Sequence, residues 1–486
     1  MKKEILTILK LRLESSSFIL LPNIYKSEYN HLKLLWLILT ILSTGWCAWF
    51  MSRSFVDYFS YDVITKTEVK YESLLIFPVI TFCSLNTFNT NYANDYINNL
   101  FNSSEPNFTD GFLANYLVNY NITKNLTDKY LFGKRIDELI VNCRFGMNEC
   151  NLTQDFESYY DFNYGNCFRF NSGKNMNGQK IEKKYATALF GSLDLQFWTG
   201  SAQNNYNLLS IDNGLVIFIS NETVNSAFTN GINISPGYTT KISLDKLTII
   251  KKPKPYSYCV GNLNFIDSYD SLTYKKLFMV KQGQAYNYRM CYIFCLQRHL
   301  GDICQCQLDY LGLTYYNEMR LCLINESLRN QDFRCFSNTL NLILKDSQPF
   351  LKICDCPIEC EYYFYKYSSS FAEFPSRKYL PYLINAKLIK SIFNNSLNDS
   401  LDTFDILRKS IARIQIQYED MMQTFITEYP KIQSADLVSS VGGIFGLFLG
   451  LSFLSFIEIF DLLFRFLYTF MKKTKINKVS INNSKS

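Results

Sequence analysis

The chain has 486 residues, of which 48% are hydrophobic and 19% are charged, and its net charge is +6. Two long uncharged runs hold much of the hydrophobicity, which excludes an ordinary soluble globular protein. Because both ends are basic and the middle is mixed in charge, the net charge gives no support for nucleic-acid binding.

The first predicted element is an apolar helix, which follows a short N-terminal segment at residues 1–33. Leu34 to Met51 is an uncharged run of 18 residues. A helix needs about 17–25 predominantly apolar residues to cross the hydrocarbon core of a bilayer. We therefore predict a transmembrane helix at residues 34–51, in contact with membrane lipid.

The middle region, residues 52–436, is predicted to form one large domain. Its first part, up to residue 82, is rich in β-branched and aromatic residues and predicts a strand, with Pro78 marking a bend or an edge. Residues 86–166 are rich in Asn, Tyr and Asp, which favours loops and short helices. Apolar and polar residues alternate in three later pieces, which is typical of strands. These are Gly214–Ser220, Lys246–Lys252 and Ala412–Met422. The domain is therefore predicted to be α+β and centred on a β-sheet.

The cysteines indicate that this domain is rich in disulfides. Fourteen of the 15 cysteines lie between Cys83 and Cys360, and only Cys47 lies in the first apolar run. A zinc site is the alternative for clustered cysteines, but no Cys-x-x-Cys pair occurs and His299 is the only histidine nearby. A set of disulfides that stiffens a pair of helices is the better explanation. We therefore expect neither a metal ion nor a cofactor.

The last apolar element is an uncharged run of 21 residues, Leu437 to Ile457. It predicts a second transmembrane helix at residues 437–470, followed by a tail at residues 471–486. On a helical wheel, several small residues and one carboxylate fall in a stripe about 100° wide. They are Ser439, Gly442, Gly443, Gly446, Gly450 and Asp461.

This stripe has two interpretations. Close packing between helices explains the small residues. It does not explain Glu458 and Asp461, because a carboxylate at mid-bilayer costs about 2.5–3.5 kcal/mol. The alternative for the two carboxylates is a partly solvated position at the cytoplasmic interface beside Arg465.

Three features of the sequence give the same topology. Basic residues flank both apolar runs on the outer sides, and basic flanks stay in the cytoplasm. The cysteines are typical of an oxidising extracellular compartment. Ten N-x-S/T sequons, which predict a glycoprotein, lie in the same middle region. They are Asn102, Asn107, Asn121, Asn125, Asn151, Asn221, Asn233, Asn325, Asn394 and Asn398. We predict a two-span protein of the plasma membrane with both termini in the cytoplasm and the middle domain outside.

Four separated motifs resemble the family of epithelial sodium channels, degenerins and acid-sensing ion channels. "FPVITFCSLNTF" (Phe77–Phe88) is similar to the family's motif after the first span, and "YGNCFRFNSG" (Tyr164–Gly173) to its signature in the middle of the domain. The fourteen cysteines match the acid-sensing branch in number and order. "GLFLGLSFLSFIEIF" (Gly446–Phe460) resembles the pore helix, including its G-x-S filter. The resemblance covers nearly the whole chain.

The resemblance implies seven disulfides, which the spacing alone does not choose. They are Cys83–Cys167, Cys143–Cys150, Cys259–Cys360, Cys291–Cys356, Cys295–Cys354, Cys304–Cys335 and Cys306–Cys322.

The resemblance also implies a function and a set of site residues. It implies a subunit of a trimeric, amiloride-sensitive channel for sodium ions, either a homotrimer or a heterotrimer with family members, in which the second helix unwinds at G-x-S. The filter residues would be Gly450, Leu451 and Ser452, and the blocker site Gly446 and Ser452. The degenerin position, where bulky residues hold such channels open, would be Ser439. Gly442, Gly443 and Gly446 would line the pore, and Glu458 and Asp461 would form its acidic inner mouth. Tyr61 and Tyr256 would couple the extracellular domain to the first span.

Three departures from the family pattern bear on gating and conductance. Ile19-Leu20 replaces the N-terminal His-Gly motif, and Leu451 is bulkier than the usual middle residue of the filter. Asp62-Val63 stands where acid-sensing relatives carry a histidine pair, and histidine is the side chain that titrates nearest neutral pH. We therefore favour a peptide ligand, a mechanical stimulus or a constitutive leak over protons.

Three alternatives remain open. A non-conducting accessory subunit fits the missing His-Gly motif. A two-span receptor or adhesion scaffold fits a glycine stripe that serves only for packing. An ectoenzyme has the least support, because the middle region holds a single histidine and neither a nucleophile motif nor a metal constellation.

Overall fold

Two compact units make up the fold. The computed structural model describes residues 29–100, 118–119, 122, 129–200, 212–220, 230–263, 265–280, 286–307, 315–316, 318–322, 329–394, 396–397, 399–452, 455, 457 and 464. The described residues before Thr65 and after Glu428 belong to one unit, and those from Thr65 to Glu428 belong to the other.

The described helices and strands have the following bounds. In chain order they are α1 (Asn30–Phe59), β1 (Val63–Tyr71), β2 (Leu75–Ile76), β3 (Val79–Ser84), α2 (Asn91–Leu100), α3 (Ile136–Leu139), β4 (Ile140–Phe145), β5 (Asn148–Glu149), β6 (Phe156–Asp161), β7 (Gly165–Phe170), β8 (Tyr185–Ala186), β9 (Leu193–Trp198), β10 (Leu215–Ser220), β11 (Ile232–Ile234), β12 (Tyr238–Ile250), β13 (Cys259–Val260), α4 (Leu272–Val280), α5 (Tyr288–Cys304), α6 (Arg329–Lys345), α7 (Ser347–Cys354), β14 (Ile358–Glu359), β15 (Glu361–Glu373), α8 (Leu380–Ile384), α9 (Lys387–Ile392), α10 (Leu401–Ser410), β16 (Ile411–Pro430) and α11 (Ser434–Leu449).

The smaller unit contains the two apolar helices, α1 and α11. Among the described residues, α1 is the one helix that is long and apolar enough to cross a membrane, with a mean hydropathy of 1.8 over its most apolar window. The described part of α11 is apolar but has only 16 residues. Beyond α1, the Asp62 carboxylate pairs with the Lys431 ammonium at 3.1 Å, and the Lys431 amide donates to the Asp62 carbonyl at 2.9 Å. These contacts join the segment that follows α1 to the segment that precedes α11.

A seven-stranded sheet organises the larger unit. Its strand order is β15-β12-β16-β9-β4-β5, and β1 also pairs with β16. The long strands β12 and β16 run parallel, with a bulge between Leu244 and Lys246. Buried and partly exposed side chains alternate along β16. Ile414 and Ile416 are fully buried, whereas Gln415 between them is partly exposed.

A five-stranded sheet shares its core with the first sheet. Its strand order is β11-β10-β3-β7-β6. Aromatic rings of both sheets meet in this core. The ring centroids of Phe82 in β3 and Phe197 in β9, for example, are 4.9 Å apart. Burial of such apolar side chains is the main favourable term in folding.

Seven disulfides staple the larger unit. They are Cys83–Cys167, Cys143–Cys150, Cys259–Cys360, Cys291–Cys356, Cys295–Cys354, Cys304–Cys335 and Cys306–Cys322, which are the pairs that the resemblance implies. The Cys304–Cys335 bond joins α5 to α6, and the Cys295–Cys354 bond joins α5 to α7. Among the described residues Cys47 is the one free cysteine, and its side chain is buried.

The predicted strands occur, but two predictions are wrong in part. Residues 86–166, which were expected to form loops and short helices, also contain β4, β5 and β6. Gly214–Ser220 contains β10, Lys246–Lys252 contains the end of β12, and Ala412–Met422 lies within β16. Residues 52–59, in contrast, do not begin a strand but continue α1. Contacts one helical turn apart explain this extension, since the rings of Phe55 and Phe59 stack and the Ser52 hydroxyl donates to the Ala48 carbonyl.

Candidate functional site in the glycine-rich helix

The small residues of α11 form an open face in this chain. Ser439, Gly442, Gly443 and Gly446 are all exposed. A Cβ atom built on Gly442 or Gly443 would meet no described atom within 4 Å outside the helix's own nearby backbone. Each glycine inside a helix costs about 1 kcal/mol relative to alanine. Contacts within the chain therefore do not explain why these positions hold glycine.

The opposite side of α11 packs on α1. The ring of Phe448 stacks on Phe50 at 5.6 Å and meets Trp46 edge-on at 6.5 Å. Further along both helices, the hydroxyls of Ser54 and Ser440 lie 3.4 Å apart. The two apolar helices thus meet through aromatic rings and hydroxyls, and the glycines do not mediate this contact.

The helix ends at the predicted filter. Gly450 has a φ of +64° and a ψ of +23°, a left-handed conformation that glycine adopts without strain. Its amide donates to the Gly446 carbonyl at 3.1 Å, and the Leu451 amide donates to the Phe445 carbonyl at 3.3 Å. Gly450, Leu451 and Ser452 are therefore outside the helix, whereas Ser455 and Ile457 are helical again.

The break changes how the filter residues are oriented relative to the glycine face of α11. On a continuous helix, Ser452 would lie about 160° from the middle of the glycine stripe. At the break, Ser452 is exposed and Leu451 is half-buried, and the Leu451 carbonyl lies 3.7 Å from a Cβ built on Gly446. The break therefore brings backbone oxygen close to the glycine face.

Two serine hydroxyls contact the backbone at the break, and neither contact was predicted from the sequence. Ser43 of α1 donates its hydroxyl to the carbonyl of Phe448. The Ser452 amide donates to the Ser455 hydroxyl oxygen at 3.2 Å. The sequence does show that Ser43 and Ser455 are hydroxyl residues in two otherwise apolar runs, which could have indicated these contacts.

The structure describes the two predicted coupling aromatics but not the two predicted inner-mouth carboxylates. Glu458 and Asp461 lie outside the described residues. Tyr61 has a left-handed φ of +54° and packs on Phe59, and Tyr256 lies in a turn that its amide closes on the Pro253 carbonyl at 3.2 Å. The two tyrosines belong to different units, so the coupling between them stays a prediction.

One buried carboxylate in the larger unit is a candidate for response to acid. Glu359 is 9% exposed and accepts a hydrogen bond from the Tyr288 amide, at the start of α5, at 3.2 Å. Burial raises the pKa of Glu359 above its usual value. His299 lies beside Phe350, with 6.0 Å between the ring centroids. In the described part of the chain, no group of three His, Cys, Asp or Glu residues is close enough to share a metal ion.

A family model covers nearly the whole chain. The model is described as "Amiloride-sensitive sodium channel" and matches residues 13–462.

Curated relatives match at low identity over most of their length. The bile acid-sensitive ion channel of Homo sapiens is 24% identical over 479 residues, which cover 93% of this chain and 85% of the relative. The FMRFamide-activated amiloride-sensitive sodium channel of Cornu aspersum is 22% identical over 92% of this chain and 81% of the relative. Acid-sensing ion channel 1 of Gallus gallus is 22% identical over 83% of this chain and 73% of the relative.

The similarity to a solved chloride channel is weak. A proton-activated chloride channel matches with a TM-score of 0.32 and 7% identity over 88% of this chain and 96% of that chain, values too low to carry over its fold.

Proposed function

Because the chain belongs to the amiloride-sensitive sodium channel family, we propose that it is a subunit of a trimeric, sodium-selective cation channel gated from the extracellular side. Members of this family are channels rather than enzymes. The observation that carries the proposal is the open glycine face of α11, which ends at a left-handed glycine in the predicted filter.

The proposed topology has two spans. α1 forms the first, and α11 together with the residues up to 470 forms the second, with both termini in the cytoplasm. The seven disulfides of the larger unit support its extracellular location, because disulfides persist in oxidising compartments. The basic flanks of the two apolar runs support the orientation.

The proposed pore forms where three copies of α11 turn their glycine faces to a common axis. Glycine has no side chain, so helices approach closely and leave backbone oxygens as the lining. Cations that shed part of their hydration shell need oxygen ligands in its place. The Leu451 carbonyl, which lies near Gly446, and the exposed Ser452 are the groups proposed to supply them.

The roles of the remaining predicted residues follow from this arrangement. Glu458 and Asp461 are proposed to concentrate cations at the inner mouth by their negative charge. Gly446 and Ser452 are proposed to bind amiloride, and Ser439 to occupy the position where bulk opposes closure. Tyr61 and Tyr256 are proposed to transmit a stimulus from the larger unit to α1.

The proposed stimulus is an extracellular ligand, with a mechanical stimulus and a leak as the other candidates. Two of the relatives are named for organic ligands, a bile acid and FMRFamide. The Asp62 carboxylate, which stands where acid-sensing relatives carry histidine, is paired with Lys431. Neither partner of this pair is a histidine, the side chain that titrates nearest neutral pH, so the position does not favour a proton switch.

Expression in oocytes tests the proposal. We expect a sodium-selective current that amiloride blocks when candidate peptides, bile acids and mechanical stimuli are applied. Gly450→Arg should abolish this current while surface expression, measured by biotinylation, stays normal. Normal sodium current in Gly450→Arg would remove this residue from the pore.

The same experiment separates the proposal from the accessory-subunit alternative. A chain that reaches the surface and stays silent alone, but changes the current of a co-expressed relative, would be an accessory subunit. A chain that reaches the surface and does neither would contradict the channel assignment and favour a receptor or scaffold.

A further inference from the structure

The end of α11 separates one backbone pair that a continuous helix would join. In an α-helix, the amide of Ser452 would donate to the carbonyl of Phe448, four residues earlier. In the structure, this carbonyl accepts the hydroxyl of Ser43, and the Ser452 amide donates to the hydroxyl oxygen of Ser455 at 3.2 Å. Two serine hydroxyls therefore replace one backbone hydrogen bond.

Ser43 differs from the neighbouring hydroxyls of α1. Serine and threonine in a helix commonly donate to the carbonyl three or four residues earlier in the same helix. Thr40, Thr44 and Ser52 do so, with donor–acceptor distances of 2.7, 2.8 and 2.8 Å to the carbonyls of the preceding turn. The hydroxyl of Ser43 reaches the other helix instead.

Packing holds Ser43 at this place. Ser43, Trp46, Cys47 and Phe50 lie at the i, i+3, i+4 and i+7 positions of α1 and therefore share one face. On this face Cys47 is only 4% exposed, and the rings of Trp46 and Phe50 contact the ring of Phe448. The hydroxyl of Ser43 is thus directed at the last turn of α11 by the same contacts that join the two helices.

We propose that Ser43 is a positioning residue that keeps the chain broken at Gly450–Leu451–Ser452 and thereby sets the cation selectivity of the pore. A carbonyl without a partner in apolar surroundings is costly, and the Ser43 hydroxyl removes this cost at Phe448. Without the hydroxyl, the best remaining partner of that carbonyl is the Ser452 amide, and their bond makes the helix continuous. Ser452 would then turn away from the glycine face. The part of the inference that concerns selectivity rests on the proposed function, whereas the part that concerns the break does not.

Hydrogen exchange measures the break directly, without any need for current. The full chain in lipid nanodiscs is compared with Ser43→Ala, and exchange is read by mass spectrometry on peptides that contain Leu451 and Ser452. We expect exchange at these two amides to slow about fivefold, the equilibrium effect of one hydrogen bond of ordinary strength. Unchanged or faster exchange in Ser43→Ala would overturn the proposal.

Two control variants give the comparison its specificity. Ser52→Ala removes a hydroxyl that donates only within α1, so it should leave exchange at the break unchanged. Ser43→Thr keeps the hydroxyl and should behave as the parent chain. If Ser43→Ala does not fold, Ser43→Thr and Ser43→Val provide the same comparison, since their side chains have nearly equal shape and differ in the hydroxyl.

Ion selectivity is the second readout. We expect Ser43→Ala to lower the sodium-to-potassium permeability ratio about fivefold, with Ser52→Ala unchanged and Ser43→Thr close to the parent chain. Slower exchange in a chain that never conducts would contradict the proposed function and leave the role of Ser43 at the break intact. Unchanged exchange and unchanged selectivity in a conducting chain would leave the proposed function intact and remove Ser43 from it.

Discussion

Gly450 offers the sharpest test of the filter geometry, because its backbone conformation disfavours every other common residue. Its φ of +64° is left-handed, and a side chain other than glycine costs about 1–2 kcal/mol there. Alanine also favours a continuous helix by about 1 kcal/mol relative to glycine. Gly450→Ala should therefore shift the chain towards a continuous helix by about 2–3 kcal/mol, which is roughly 30- to 150-fold in the equilibrium.

The measurement is the current and the sodium-to-potassium permeability ratio in oocytes, normalised to surface expression. We expect Gly450→Ala to lose most of both, and Gly450→Asn to lose less, because asparagine tolerates the left-handed conformation better than alanine. Gly45→Ala in α1 is the matched control, since this glycine lies outside the glycine face and a Cβ there meets no described atom within 4 Å outside the helix's own nearby backbone. Full current and selectivity in Gly450→Ala, or equal damage in Gly45→Ala, would contradict a role for the left-handed conformation of Gly450 in the filter.

Three further predictions concern gating and stability. Ser439→Phe should raise the resting current because bulk on the open face opposes closure, whereas Ser439→Ala should not; an unchanged resting current in the Phe variant would remove this residue from the gating position. Burial lowers the pKa of Lys134 to about 8, so the unfolded chain binds the proton more tightly and stability rises with pH from about 8 to 10.5. Lys134→Met should therefore raise the thermal midpoint at pH 7 by the equivalent of about 2–3 kcal/mol, with the gain shrinking across that window; a gain independent of pH would contradict this cause. Replacing both cysteines of the Cys259–Cys360 disulfide should cost about 4 kcal/mol by chain entropy, because the enclosed Cys291–Cys356 bond shortens the loop that it closes to about 36 residues. Replacing both cysteines of Cys143–Cys150, which spans 7 residues, should cost about 2 kcal/mol, and equal losses in thermal unfolding would argue against the entropic account.

Periodicity was a good guide to the strands and a poor guide to the helix ends. Alternation in Ala412–Met422 predicted part of β16, because one face of that strand is buried in the shared core. The uncharged run ends at residue 51, because the residues that follow are more polar, but α1 continues to Phe59. Contacts one turn apart, such as the stacking of Phe55 on Phe59, continue the helix there.

The pairing of the cysteines needed more than spacing. Fourteen cysteines permit a very large number of connectivities, and the choice depends on which strands and helices come together. Cys83 and Cys167, for example, are partners because β3 and β7 pair at that register. The resemblance supplied this information, and the local sequence did not.

The helix break and its support also lay beyond the sequence pattern. A helical wheel assumes a continuous backbone, so it placed Ser452 far from the glycine stripe. Whether the helix continues or ends at Gly450 depends on whether the backbone amides and carbonyls that lose their helical hydrogen bonds find other partners. One of these partners, Ser43, lies 405 residues away in the chain, and only the packing of α1 on α11 brings it to the Phe448 carbonyl.

Thiol accessibility shows whether the glycine face of α11 borders the ion path. In a Cys47→Ser background, a water-soluble thiol reagent is applied to Gly446→Cys and to Ile444→Cys, which lies about 160° away around the helix. We predict rapid block of the current in Gly446→Cys, slowed by amiloride, and no block in Ile444→Cys. Block of Ile444→Cys with Gly446→Cys unaffected would place the ion path on the other side of α11.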